Sequence, residues 1–281
     1  MSLADPKSGG QFGIIQGRLT PTPPGVLQRF PTGEWETEFR KANALGMTFI
    51  ELLIEFEHNP DNPFWQQNGR RAILEVCAEN SCAPYSICVD YLMSHGLNKG
   101  ADVVEYCVDL VTSAAELGVS LVVLPLLEGG ELTAENQKTF IDPLRTMADA
   151  GADIGVSLAL ETAFDGETLA GFLADVDHEQ VKATYDTGNR AAFGHDIPGD
   201  IRILGDHIVH VHIKDKNADN QNVRLGTGLV NFMNVAEALV DIGYGGNFTF
   251  ETTRGEDAER TAAYNIDLVT YFMAEARAAT T

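Results

Sequence analysis

Four stretches in the second half of the chain decide the fold: GVSLALE (155–161), VKATYD (181–186), HIVHVHI (207–213) and NFTFE (247–251). Each is short and bounded by turn or polar residues, and three alternate clearly with a period of two. Ser157, Ala159 and Glu161 share one face of the first, with Val156, Leu158 and Leu160 on the other. His210, His212 and Lys214 oppose Val209, Val211 and Ile213, and Asn247, Thr249 and Glu251 oppose Phe248 and Phe250. One face is polar or small and the other is apolar. Strands that line a barrel with a polar mouth, under a jacket of helices, need that division.

Working outward, the first half supplies four more strand candidates: FGIIQ (12–16), TFIELLI (48–54), APYSICV (83–89) and VSLVVLPL (119–126). Segments with helical apolar spacing lie between them, among them 35–46, 70–80, 102–118, 140–152 and 235–242. Several close on a glycine just before the next strand, at Gly46, Gly118 and Gly243, which is the usual helix stop. The repeating unit and the lack of a Pro/Gly/Ser-rich linker predict one α/β domain, a (β/α)8 TIM barrel over residues 11–281. Residues 1–10 are expected to be a disordered N-terminal end. An open doubly wound sheet would place a glycine-rich phosphate loop after an early strand, and neither GxGxxG nor GxxxxGK[ST] occurs.

Composition narrows the class of function. Against 41 Asp and Glu stand 19 Lys and Arg, a formal charge of −22. Such a field repels a phosphate backbone and argues against a nucleic-acid partner. No apolar run approaches the roughly 20 residues needed to cross a bilayer, and the opening MSLADPKSGG has no secretory pattern. A cytoplasmic protein, with no membrane partner and a homo-oligomeric state left open, is the expectation. Cys77, Cys82, Cys88 and Cys107 form no CxxC pair and read as small buried hydrophobes.

Chemistry in such barrels gathers at the C-terminal ends of the strands. There the second half carries Glu161, Asp186, His212 and Glu251, at intervals of 25, 26 and 39 residues. Three converging carboxylates cannot all stay ionised without a cation. Mixed carboxylate and imidazole donors predict one divalent metal ion, Mn²⁺, Mg²⁺ or Co²⁺, with Zn²⁺ also admissible.

At these residues the chain resembles the xylose isomerase-like barrel superfamily, and within it the sugar (phosphate) isomerase/epimerase group that includes ketose 3-epimerases and hydroxypyruvate isomerase. The matching pieces are LALET around Glu161, YDTGN (185–189), HVHIKD (210–215), LGTG (225–228) and FTFET (248–252), with IIQGRLTP (14–21) at the start. The resemblance implies that Glu161, Asp186, His212 and Glu251 hold the metal. It also implies that Glu161 and Glu251 are catalytic and exchange a substrate proton. Glu167 falls where the ketose epimerases have a substrate-contacting glutamate, and Arg224 lies in the loop that carries their substrate-binding arginine. Asn189 departs from the group, standing where several members have a histidine. The superfamily's DNA-repair endonucleases use several more histidines to hold a zinc cluster, whereas only seven occur in this sequence and Asn189 replaces one expected ligand. His58, His95 and His195 read as surface or loop residues with respect to that chemistry.

The expected reaction moves a proton through an enediolate of a small sugar or sugar phosphate, giving an epimerase or an aldose–ketose isomerase. Arg18, Lys214, Arg224 and Arg254 lie just beyond strand ends and are candidates to hold a phosphate or carboxylate, with Lys214 foremost. Gly226 and Gly228 would let backbone N–H groups join them. Glu128 and Glu55 are further mouth candidates, and Trp35 and Phe30 are either an apolar wall or plain core. Two other readings stay open: a metal-dependent dehydratase, with His95 or Lys214 as its acid, and a non-catalytic sugar-binding barrel.

Overall fold

The computed structural model describes residues 10–280 except Pro24. The expected disordered end, 1–10, lies outside the described residues but for Gly10. Eight strands form one closed, wholly parallel barrel in sequence order: β1 (Phe12–Ile15), β2 (Phe49–Ile54), β3 (Ser86–Val89), β4 (Leu121–Leu126), β5 (Ser157–Thr162), β6 (Val181–Asp186), β7 (Ile208–Ile213) and β8 (Asn247–Phe250). β1 closes on β8 through Phe12, Gly13 and Ile14. The helices of the jacket are α1 (Trp35–Ala44), α2 (Gln67–Glu79), α3 (Tyr91–His95), α4 (Ala101–Glu116), α5 (Lys138–Ala152), α6 (Gly166–Val176), α7 (Thr187–Ala192), α8 (Ile197–Leu204), α9 (Phe232–Asp241) and α10 (Ala258–Thr280). No helix among the described residues is long and apolar enough to cross a membrane.

The two periodicities of the sequence become two cores. Outward-facing strand residues such as Leu158, Leu160, Val211, Phe248 and Phe250 pack with the apolar stripes of the helices. A smaller cluster of Ile15, Leu53, Cys88, Leu121, Val123 and Ala159 fills the barrel itself. Trp35 and Phe30 belong to the outer core, and the four cysteines are free and buried. Gly46, Gly118 and Gly243 take positive φ (79°, 72° and 67°) where their helices stop, as the sequence requires.

One strand departs from simple alternation. β7 carries one residue more than β6 between the pairs Ala183–Ile208 and Thr184–His210. Val209, expected on the outer face, packs instead against the inner cluster. The shift is a β-bulge, and it restores the register so that Asp186 lies opposite His212.

The turn after β1 is fixed by a buried acid on α1. Glu38 accepts hydrogen bonds from the Gly17 and Leu19 backbone N–H groups (2.6 and 2.9 Å) and from the Thr20 hydroxyl (2.9 Å). Burial pushes its carboxyl above the usual range. Gly17 has φ +90°, and a Cβ there would lie 2.1 Å from the Arg29 carbonyl oxygen, so no other residue fits.

Candidate metal centre and active site

β5 to β8 each present one side chain with a potential metal donor at the barrel mouth. Glu161 is the last residue but one of β5, Asp186 ends β6, His212 is the last but one of β7, and Glu251 follows β8. One donor atom from each lies within 4.8 Å of the other three.

The His212 ring is oriented from below. Its Nε2 stands 2.8 Å from Glu51 Oε1, while its Nδ1 faces Glu161 Oε2 at 3.3 Å and Glu251 Oε2 at 3.2 Å. Glu51, on β2, is fully buried; it also accepts from the Ser86 hydroxyl at 2.6 Å and lies 2.9 Å from His210 Nε2. Burial alone would raise the Glu51 carboxyl, but His212 and then His210 hold it well below the usual range. An ionised Glu51 calls for a proton on His212 Nε2 and leaves the Nδ1 lone pair aimed at the carboxylates. Burial disfavours charge on that ring, yet Glu51, Glu161 and Glu251 together raise its pKa well above the usual value. A proton or a cation belongs among these groups.

Among the described residues, the buried atoms without a hydrogen bond include His212 Nδ1 and Asp186 Oδ2 at the centre and the facing pair His212 Nε2 and Glu51 Oε1 beneath it. Asp186 Oδ2 meets the Lys214 ammonium at 3.0 Å, and the same ammonium lies 2.8 Å from Glu251 Oε2. Burial is the largest influence on Asp186 and raises its carboxyl, whereas Lys214, followed by His212 and Arg18, overcomes burial and keeps Glu251 low. Three carboxylates and an imidazole with convergent lone pairs fit a divalent cation with open positions. The other Asp186 oxygen is spent on structure: it caps α7 by accepting from the Asn189 N–H at 2.6 Å. The Asn189 side chain donates to Glu161 Oε1 at 2.7 Å, which leaves Oε2 for the centre.

The centre opens into a cavity of about 570 Å³, large enough for a small sugar, whose wall includes Glu161, Glu251, Asn189, Lys214, Arg18 and Glu128. Arg18 is buried; it donates to the Leu27 carbonyl and the Gln28 side chain, and its Nη2 lies 3.4 Å from Glu251 Oε1. It thereby ties the strap around residues 25–28 to the ligand set. Glu128, after β4, is exposed at the rim with φ +51°, a left-handed backbone that costs a non-glycine residue about 1–3 kcal/mol.

Other residues named from the sequence lie elsewhere. Glu167 is exposed on the first turn of α6 and faces a separate depression with Asp165 and His195. The cause is local: Asp165 caps α6, and the Gly166 N–H bonds to Asp200, so the helix starts away from the mouth. Arg224 is exposed in the loop before α9 and does not line the cavity. His95 stacks on Tyr91, with ring centroids 3.8 Å apart, likewise outside the lining. In this structure, then, Glu167, Arg224 and His95 stand apart from the residues that line the cavity. The backbone groups expected to meet an anion are taken as well, because the Gly226 and Gly228 N–H groups both donate to Asp215 at 2.9 Å. Arg254 donates to the Gly17 and Thr20 carbonyls, and Glu55 accepts from Asn59 and Asn62.

Sequence reasoning missed Glu51 and Asp90. Glu51 had one visible signal, a lone charge inside the apolar run FIELLI. Asp90 directly follows β3, is buried, and lines the cavity.

Comparison with known proteins agrees with this geometry. Residues 39–271 match the family described as xylose isomerase-like TIM barrel. L-ribulose-5-phosphate 3-epimerase UlaE of Salmonella paratyphi A is 26% identical over 257 residues, covering 86% of this chain and 90% of that protein. A solved structure of L-ribulose 3-epimerase superposes with a TM-score of 0.76 at 17% identity, over 96% of this chain and 97% of the other. A xylose isomerase-like TIM barrel protein from Mycobacterium smegmatis, in complex with magnesium, does so with a TM-score of 0.73 at 19% identity, over 98% and 99% of the two chains.

Proposed function

The chain belongs to the xylose isomerase-like TIM barrel family, and on that premise we propose that it is a metal-dependent ketose or ketose-phosphate epimerase or isomerase. The observation that carries the reading is the convergence of Glu161, Asp186, His212 and Glu251 within 4.8 Å at four successive strand ends. The name of the UlaE relative points to a phosphorylated ketopentose as the first substrate to try. Lys214 and, nearer the rim, Lys216 supply positive charge to the same cavity.

Bound at the four residues, a divalent cation would polarise the substrate carbonyl and offset the negative charge of the enediolate. Mn²⁺, Mg²⁺ and Co²⁺ suit the donor set, and magnesium accompanies the M. smegmatis neighbour. The protein's own groups do the rest. Glu161 and Glu251 approach from β5 and β8, so one carboxylate takes the proton from the carbon beside the carbonyl and the other returns it. Return to the opposite face of that carbon epimerises it; return to the neighbouring carbon interconverts aldose and ketose. Asn189 fixes the rotation of Glu161 through its 2.7 Å hydrogen bond, and the Lys214 ammonium fixes Glu251. Burial of the centre excludes water, which protects the enediolate from wasteful protonation.

The test combines metal analysis with proton exchange in D₂O, using L-ribulose 5-phosphate and free ketoses. Stoichiometric metal and deuterium entering beside the carbonyl are expected, with exchange lost in Glu161→Gln or Glu251→Gln. Metal bound without exchange, or release of water from the substrate, would remove the epimerase/isomerase reading and favour a dehydratase or a binding protein.

A further inference from the structure

Asp90 stands where β3 gives way to α3, on the side of the cavity away from the four ligating strand ends. It is 1% exposed. Its Oδ1 accepts a weak hydrogen bond from the Cys88 thiol at 3.5 Å, the Gln28 amide stands beside the carboxyl and favours its ionised form, and its Oδ2 makes no hydrogen bond of good geometry. It starts α3 without capping it, since its side chain accepts no N–H from that helix. A buried carboxyl oxygen left unpaired is destabilising, by roughly 1–3 kcal/mol in general. The Arg18 charge and the Gln28 amide lie near the carboxyl, yet Oδ2 keeps no hydrogen bond. The cavity that Asp90 lines explains that oxygen, because a hydroxyl brought in by a ligand supplies the missing partner.

We propose that Asp90 is a substrate-binding residue that takes one hydroxyl of the open-chain sugar and so decides which configuration the site accepts. This rests on the reading of the cavity as a sugar site. Contacts at the four-residue centre hold the carbonyl end of the chain, but they leave the remaining carbinols free to turn. A third fixed point on the far wall removes that freedom and distinguishes two epimers. In the metal-free protein burial, followed by the charge of Glu251, raises the Asp90 carboxyl to about 8. The charged and titratable neighbours are Cys88 on β3, Arg18 after β1, Glu161 on β5 and Glu251 after β8, with the Gln28 amide beside them.

The experiment uses the full chain loaded with Mn²⁺ and a panel of ketoses, free and phosphorylated, that differ in configuration or lack one hydroxyl beyond the reacting carbons. Asp90→Ala and Asp90→Ser are expected to raise KM about 10- to 100-fold for the preferred sugar. They should also flatten discrimination between epimers, while Mn²⁺ affinity by titration calorimetry stays at the wild-type value. Asp90→Asn, which keeps a donor and an acceptor, should stay within about tenfold of wild type. If Asp90→Ala does not fold, Asp90→Ser carries the decision. Wild-type KM and discrimination in the substituted proteins would overturn the assignment of Asp90 alone. Loss of Mn²⁺ affinity in step with KM would overturn it too, by moving Asp90 to the metal centre. A wild-type protein that exchanges no ketose proton would instead bring down the sugar-site reading, and this inference with it.

Discussion

The two halves of the barrel mouth are built to different plans. From β5 to β8, each strand end carries one side chain able to hold a metal ion, and the four meet at a point. From β1 to β4, the polar residues work from beneath or alongside: Glu51 under His212, Glu38 under the β1 turn, Arg18 across to Glu251, and Asp90 on the opposite wall. The second half presents the chemistry, and the first half orients and shapes it. A barrel allows that division because all eight strand ends face one cavity, whichever part of the chain supplies them.

Mutations sharpen this contrast, or break it. The largest effect is expected from the second half: Asp186→Asn and His212→Gln should abolish stoichiometric metal and cost about 10³-fold or more in kcat/KM, checked by elemental analysis and steady-state kinetics. Glu51→Gln tests the orienting role in the first half. Removing the charge that sets the His212 tautomer should weaken metal affinity about 10- to 100-fold with the fold intact, measured by calorimetric titration and circular dichroism. An effect as large as that of Asp186→Asn would erase the division between presenting and orienting residues. Asn189→Ala releases one oxygen of Glu161 and should lower kcat by about tenfold, since it loosens a proton carrier; a rise in KM alongside would add the substrate contact that its place in the cavity wall allows.

A further effect is on stability and has a defined pH sign. In the metal-free protein the Asp90 carboxyl is raised to about 8 from the usual 3.8, so folding takes up a proton at pH values between the two. The wild type is therefore burdened increasingly as pH rises from about 4, and fully so above about 8. Asp90→Asn carries no such burden. Its melting temperature relative to wild type should climb across that window and level off beyond it. A difference that is flat with pH would show that Asp90 is ionised in the folded protein.

Legibility in the sequence followed the same line. The ligands were readable because each sits at the end of a strand whose period-two pattern is visible in a few residues, as in Ala159–Glu161 and His210–His212. Glu51 was not, because its significance depends on His210 and His212, about 160 residues away, being stacked above it. Glu167 and Arg224 sit in or beside loops, and the path of a loop follows from caps and buttresses such as Asp165 and Asp215, which spacing does not reveal. Even Val209 needed the β6–β7 bulge to show its side.

By itself, then, the sequence determined the eightfold repeat, the polar inner face of the later strands and the four convergent strand-end positions, because side-chain alternation is a property of the local backbone. Only the tertiary structure decided which polar groups share the cavity. The tautomer of His212, the hold of Asn189 on Glu161 and the unpaired oxygen of Asp90 each depend on distances between strands far apart in the chain. Those distances are set when the barrel closes and packing leaves each buried group its final neighbours.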